Sequence, residues 1–151
     1  MKEVILQIDS RERNNLHIVE FFNQGGIKTI SSKLYIGDYV NFNNPTVIVE
    51  RKASWLEMAG NLGKQHARFK AELERLDSIG GKMYIVVEET TPLRFWKHKR
   101  SQMSGAVMLK IIAAWKQKHN IEVVQCDKQD TGKVITDLLI FGGEGKWREN
   151  Q

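Results

Sequence analysis

Three carboxylates and one lysine carry the chemistry open to this sequence. Glu50 and Lys52 close the run Val47-Ile48-Val49-Glu50-Arg51-Lys52, Asp38 follows Gly37 upstream, and Asp9 ends the apolar run Val4 to Ile8. Side chains alternate across a strand, so Glu50 and Lys52 project to one face and Arg51 to the other. If the Gly37-Asp38 turn folds back, Asp38 approaches Glu50 and Asp9 reaches the same sheet edge. Clustered carboxylates repel unless they are partly protonated or neutralised by a cation. Mg²⁺ suits such a cluster, since it prefers oxygen ligands, keeps several waters, and is typically held by one or two carboxylates plus substrate phosphate oxygens. A bound metal lowers the pKa of a water nucleophile, and Lys52 nearby can orient that water or pair with the phosphate. The chemistry expected is phosphodiester hydrolysis.

The elements that must position these groups alternate between strand and helix. Val4 to Ile8 reads as a buried strand. Leu16, Ile18, Val19 and Phe22 have helical spacing, and Gly25-Gly26 supplies a stop. Ile27 to Leu34 is extended in character. Tyr39 to Phe42 and Thr46 to Lys52 are expected to pair as a hairpin across Asn43-Asn44-Pro45. Two helical stripes follow, Trp55, Met58, Ala59 and Leu62, then Phe69, Leu73 and Leu76. Met83 to Val87 and Ile121 to Val124 read as further strands. Helices are expected around Met108, Ile111, Ile112 and Trp115, and around Val134, Ile135, Leu138 and Leu139. The fold class expected is α/β, a mixed sheet containing an antiparallel hairpin with helices on both faces. One domain over 1–142 accounts for the pattern, and the polar, Gly-containing segment 143–151 reads as a flexible tail.

Composition narrows the classes without choosing among them. A chain of 151 residues with 41% hydrophobic and 27% charged residues suits one globular domain and excludes a disordered chain. The single Cys126 excludes a disulfide framework and a cysteine zinc site, and the four histidines lack HxH or HExxH spacing. Apolar runs are too short to span a bilayer, so no membrane association is expected. No GxGxxG arrangement occurs, so no nucleotide cofactor is expected. The net charge of +5 is by itself weak evidence for nucleic acid.

Asp9-Ser10-Arg11-Glu12, Gly37-Asp38-Tyr39 and Val49-Glu50-Arg51-Lys52-Ala53-Ser54 resemble the motifs of the XPF-type structure-specific endonuclease family, which belongs to the restriction-endonuclease-like PD-(D/E)XK superfamily. Gly60-Asn61-Leu62, Gln65, Arg68-Phe69 and the apolar run before Glu88-Glu89 follow in the family's order. The resemblance implies that Asp38 and Glu50 are metal ligands and catalytic, that Lys52 is the catalytic lysine, and that Asp9 and Glu12 contact the metal directly or through water. It implies a DNA-binding or bracing role for Arg51, and DNA contacts from Arg11, Gln65 and Arg68. The basic and aromatic stretch 94–100 offers phosphate contacts through Lys97, Lys99 and Arg100. The family usually places Asp four residues after the lysine. Here that position is Leu56, with Glu57 next to it, which leaves the fourth ligand open.

The function implied is a Mg²⁺-dependent DNA endonuclease, with Mn²⁺ able to substitute, acting on branched, flapped or junction DNA in repair or recombination. A homodimer is a further implied partner state. The expected location is the cytoplasm of a prokaryotic or phage-infected cell, or the nucleus in a eukaryote. The alternative is a catalytically weak DNA-binding or dimerising subunit. Simpler roles compete at single residues. Asp9 can cap the following helix, Glu12 can answer a helix dipole, Arg68 can pair with Glu72 at helical spacing, Tyr39 can pack in a strand, and 94–100 can be a loop whose Phe95 and Trp96 face the core.

Overall fold

A computed structural model describes residues 3–142; the polar segment expected to be flexible, 143–151, lies outside the described residues. The elements run β1 (Ile5–Asp9), α1 (Leu16–Gln24), β2 (Lys28–Ser32), β3 (Tyr39–Asn41), β4 (Asn44–Lys52), α2 (Trp55–Leu62), α3 (His66–Ser78), β5 (Lys82–Val87), α4 (Gly105–Lys118), β6 (Ile121–Gln125) and α5 (Thr131–Ile140). The sheet has six strands in the order β2-β1-β3-β4-β5-β6. Only β3 runs antiparallel to its neighbours; the other pairings are parallel. The expected mixed α/β sheet with an internal hairpin is therefore the fold.

The hairpin is tighter than its sequence suggests. β4 begins at Asn44 instead of Thr46, and the register shifts between Val40 and Asn41. Asn41 stabilises this bulged turn, since its side-chain oxygen accepts from the Asn43 amide at 3.0 Å while its amide donates to the Leu139 carbonyl at 3.0 Å. Pro45 lies near the exposed start of β4, where a missing N–H costs no buried ladder bond.

Two apolar cores sandwich the sheet. Trp55, Met58, Leu62, Phe69, Leu73, Met108, Ile112 and Trp115 from α2, α3 and α4 cover Ile48, Met83, Ile85 and Val123. On the opposite face Ile18 and Phe22 from α1 and Val134, Ile135 and Leu138 from α5 cover Leu6, Ile8, Tyr39, Val49 and Val86. From Ile48 to Lys52 β4 is thus buried on both faces, while its first residues are exposed. Its alternation sends Glu50 and Lys52 towards the α2–α3 side and Arg51 towards α1 and α5. Among the described residues no helix is long and apolar enough to cross a membrane.

Candidate active site

The carboxyl end of β4 opens into a cleft of about 740 Å³ whose floor carries Asp38, Glu50 and Lys52. Asp38 is set there by the turn before it. Gly37 has φ +70°, and a Cβ at that position would lie 2.3 Å from Ile48 Cγ2 and 3.1 Å from the Val49 carbonyl oxygen. Only glycine meets both demands, a left-handed backbone and contact with the neighbouring strand. The turn is then tied on both sides. The Asp38 amide donates to Val49 O at 2.9 Å, the Asp9 amide donates to Asp38 O at 2.8 Å, and the Arg51 amide donates to Asp38 Oδ2 at 2.8 Å.

Asp38 and Glu50 line the same floor, close enough for their charges to oppose each other. Burial, then the negative charge of Glu50 and of Glu12, raises the Asp38 carboxyl well above the usual carboxylate range. Lys52 Nζ lies 2.8 Å from Glu50 Oε2 and 5.6 Å from the centre of the Phe69 ring. Burial alone would lower the Lys52 pKa, but Glu50, Asp38 and Glu57 together raise it, so the ammonium is held charged.

Glu72, on α3, is the member of this site that sequence reasoning missed. It lines the same cleft. Burial, followed by the charge of Glu50, pushes its carboxyl up to about 7, and its Oε1 is buried without a hydrogen-bond partner. The simpler alternative for Arg68, a pair with Glu72, is not what forms: Arg75 is the nearby guanidinium, at 3.9 Å, and Arg68 is exposed at the rim. One signal could have found Glu72. It falls beside the buried Phe69, Leu73 and Leu76 stripe, on the face that α3 turns to the sheet.

The other expected site residues are distributed unevenly. Asp9 lines the cleft, but its oxygens accept from Arg11 Nε and Nη2 at 3.0–3.3 Å and from the Leu34 amide at 2.8 Å. The expected meeting of three carboxylates is thus realised by Asp38 and Glu50, with Asp9 held aside. Arg11 and that amide keep its carboxyl below its ordinary value, against the opposing pull of burial. Nor does Asp9 cap a helix, since Asn15 stands at the start of α1.

Glu12 accepts from Arg51 Nε at 2.8 Å and from the Tyr39 hydroxyl. Arg51 is correspondingly a brace and not an exposed DNA contact. Its side chain is 7% exposed and forks between Glu12 and Glu88, the latter at 2.6 Å. Glu88 also accepts from the Thr131 hydroxyl and pairs with His17, both at 2.6 Å. This ionic network lies behind the cleft and fixes the strand whose amide holds Asp38.

Glu57 sits at the rim and works as half of a capping pair: Ser54 Oγ accepts from the Glu57 amide while Glu57 Oε2 accepts from the Ala53 amide, both at 3.2 Å. Leu56 packs against the α2–α3–α4 core. Gln65, Arg68 and Arg11 line the cleft; Lys97, Lys99 and Arg100 are exposed and lie outside it. The 94–100 stretch divides, with Trp96 buried and Phe95 exposed.

Among the described residues no three His, Cys, Asp or Glu side chains are grouped as a ready metal cage. The floor nevertheless presents an oxygen-only donor set. Asp38 and Glu50 are crowded enough to need a proton or a cation, and Glu72 has an unsatisfied oxygen. Such a set fits a hard divalent cation that takes two protein carboxylates and fills its remaining positions with water and phosphate oxygens.

Two solved structures share this architecture. XPF from Aeropyrum pernix matches with a TM-score of 0.71 and 23% identity, over 93% of this chain and 65% of that one. A structure described as XPF from Aeropyrum pernix in complex with DNA matches with a TM-score of 0.72 at the same identity and coverage. The chain therefore spans about 65% of the length of these structures. A comparison with curated proteins finds no match. The model of the ERCC4 domain matches residues 8–138, from the end of β1 into α5, and so takes in Asp9, Asp38, Glu50, Lys52 and Glu72: the chain belongs to the ERCC4 domain family.

Proposed function

We propose that this chain is a divalent-metal-dependent endonuclease that hydrolyses phosphodiester bonds in branched DNA. The observation that carries this reading is the convergence of Asp38, Glu50 and the charged, buried Lys52 on the floor of one cleft. Membership of the ERCC4 domain family and the likeness to an XPF structure solved with DNA support it.

In this reading Asp38 and Glu50 hold Mg²⁺ or Mn²⁺. When bound, the cation supplies Lewis-acid stabilisation of the phosphoryl oxygens and lowers the pKa of a water. Lys52 brings a fixed positive charge against the phosphate, where its attraction strengthens as negative charge accumulates in the transition state. Arg11 and Arg68 draw the phosphate backbone to the mouth of the cleft, a salt-dependent contribution. Hydrolysis forms one bond from water oxygen to phosphorus and breaks one from phosphorus to the ester oxygen. The Arg51 network holds β4, and so keeps the Asp38 clamp in register.

A cleavage panel of single-stranded, duplex, flap, fork and four-way junction DNA, with and without Mg²⁺ or Mn²⁺, tests this. Metal-dependent cutting of branched substrates is expected, reduced at least about a hundredfold in Lys52→Met. Wild-type rates in that variant would refute the assignment. Leu56, at the position the family's downstream acid usually takes, favours a second reading as a non-cutting DNA-binding subunit. Retained DNA affinity with no cleavage in either metal would select it.

A further inference from the structure

Two residues before the Gly37-Asp38 turn, Tyr35 stands 74% exposed at the wall of the cleft. Its exposure is not that of a loose loop. Leu34 and Ile36 on either side are buried in the core. Leu34 is also held at both ends of its peptide, its amide donating to Asp9 Oδ1 at 2.8 Å and its carbonyl accepting from Arg11 Nη2 at 3.0 Å. The backbone therefore alternates Leu34 in, Tyr35 out, Ile36 in, and presents the ring from a fixed base.

Arg75 supports the ring from α3, with its guanidinium carbon 5.1 Å from the ring centre and its Nε donating to the Tyr35 carbonyl at 3.2 Å. Arg11, Lys33 and Arg68 line the same cleft. Burying an aromatic ring is ordinarily favourable, and here packing on both sides instead holds one in water, beside cations, at the mouth of an acidic floor.

We propose that Tyr35, backed by Arg75, is a stacking platform for an unpaired nucleobase of the strand whose phosphate enters the cleft. This rests on the nuclease reading for the identity of that strand. A ring of this kind stacks on the π-face of any base, whereas bases inside a duplex are already stacked and paired, so the platform selects single-stranded character without selecting sequence. Arg11 and Lys33 meet the flanking phosphates. A platform this close to Asp38 makes unpaired nucleotides beside the scissile bond the feature recognised in branched DNA.

The test measures binding of a single-stranded oligonucleotide carrying one 2-aminopurine, and of a blunt duplex, in chelator so that neither is cut. The proteins compared are wild type, Tyr35→Ala and Tyr35→Phe. The expected result is that Tyr35→Ala weakens single-strand binding by about tenfold to a hundredfold. It should also abolish the fluorescence quenching at one oligonucleotide position and leave duplex affinity within about twofold of wild type, while Tyr35→Phe behaves as wild type. Equal losses on both nucleic acids, no loss on the single strand, or failure of Tyr35→Phe to rescue would overturn the platform. Absence of single-strand binding by wild type would do the same. If the platform results hold but metal-supplemented wild type cuts nothing, the nuclease reading falls and the platform stands.

Discussion

At Gly37 two constraints coincide that no other residue satisfies. The left-handed φ disfavours any side chain, and the 2.3 Å approach to Ile48 Cγ2 forbids even a methyl without moving β4. Gly37→Ala is expected to lower the urea-unfolding free energy by about 2 kcal/mol or more, and to impair cleavage, because the displaced turn carries Asp38. Unchanged stability in that variant would contradict the geometry. Glu57 invites the opposite expectation. As the capping partner of α2, Glu57→Ala should cost about 1 kcal/mol while leaving Mn²⁺ affinity, read by calorimetric titration, near wild type. A loss of Mn²⁺ affinity would instead make it a ligand. Asp38, Glu50 and Lys52 were legible in the sequence because a turn dipeptide and a period-two strand end determine where their side chains go. Glu72 was not, since its place depends on how α3 packs against the sheet, 22 positions from Glu50 in the chain.

β4 is the element on which the site depends, and it works through both faces. One face delivers Glu50 and Lys52; the other buries Arg51 between Glu12 and Glu88. Alternation along the strand announced this division, but not the partners of Arg51, which come from the β1–α1 connection and the end of β5 and meet only in the folded sheet. The hairpin was legible as a pairing yet not in its register, because the Asn41 bonds that allow the shorter turn include one to α5. Removing one partner from a buried ion network leaves the others uncompensated, so Arg51→Ala should cost about 3–5 kcal/mol in denaturant unfolding. Arg51→Lys, which keeps the charge but loses the fork, should fall between that variant and wild type. In neither case should the salt slope of DNA binding change in the folded fraction, since Arg51 meets no solvent-borne phosphate; a shallower slope would make it a DNA contact after all.

Over the whole molecule the net charge of +5 conceals an acidic floor inside a basic rim, and two sets of carboxylates pull stability in opposite directions with pH. Asp9 and Glu88 have lowered folded-state pKa values, Asp9 held down by Arg11 and the Leu34 amide and Glu88 by Thr131, His17 and Arg51, each against burial. Their stabilisation is present above the ordinary carboxylate range and is lost as acid protonates them. Asp38 and Glu72 are raised, chiefly by burial and then by Glu50, and Glu72 reaches about 7 against an ordinary 4.5. Their contribution is fully present below the unfolded value and is lost as pH rises through the folded one. Without a divalent cation the melting temperature should therefore fall between about pH 4.5 and pH 7 on account of Glu72, and continue lower where Asp38 ionises. Glu72→Gln, which keeps the shape and removes the charge, should flatten that fall and melt above wild type at pH 8. On the proposed metal-dependent reading, adding Mn²⁺ to wild type at pH 8 should recover the lost stability, because a cation held by Asp38 and Glu50 would replace the protons that high pH removes. Melting curves from pH 4 to pH 9, with and without Mn²⁺, separate the possibilities. A flat basic limb in wild type would deny the carboxylate crowding, while a steep limb that Mn²⁺ leaves unchanged would keep the crowding and remove the cation.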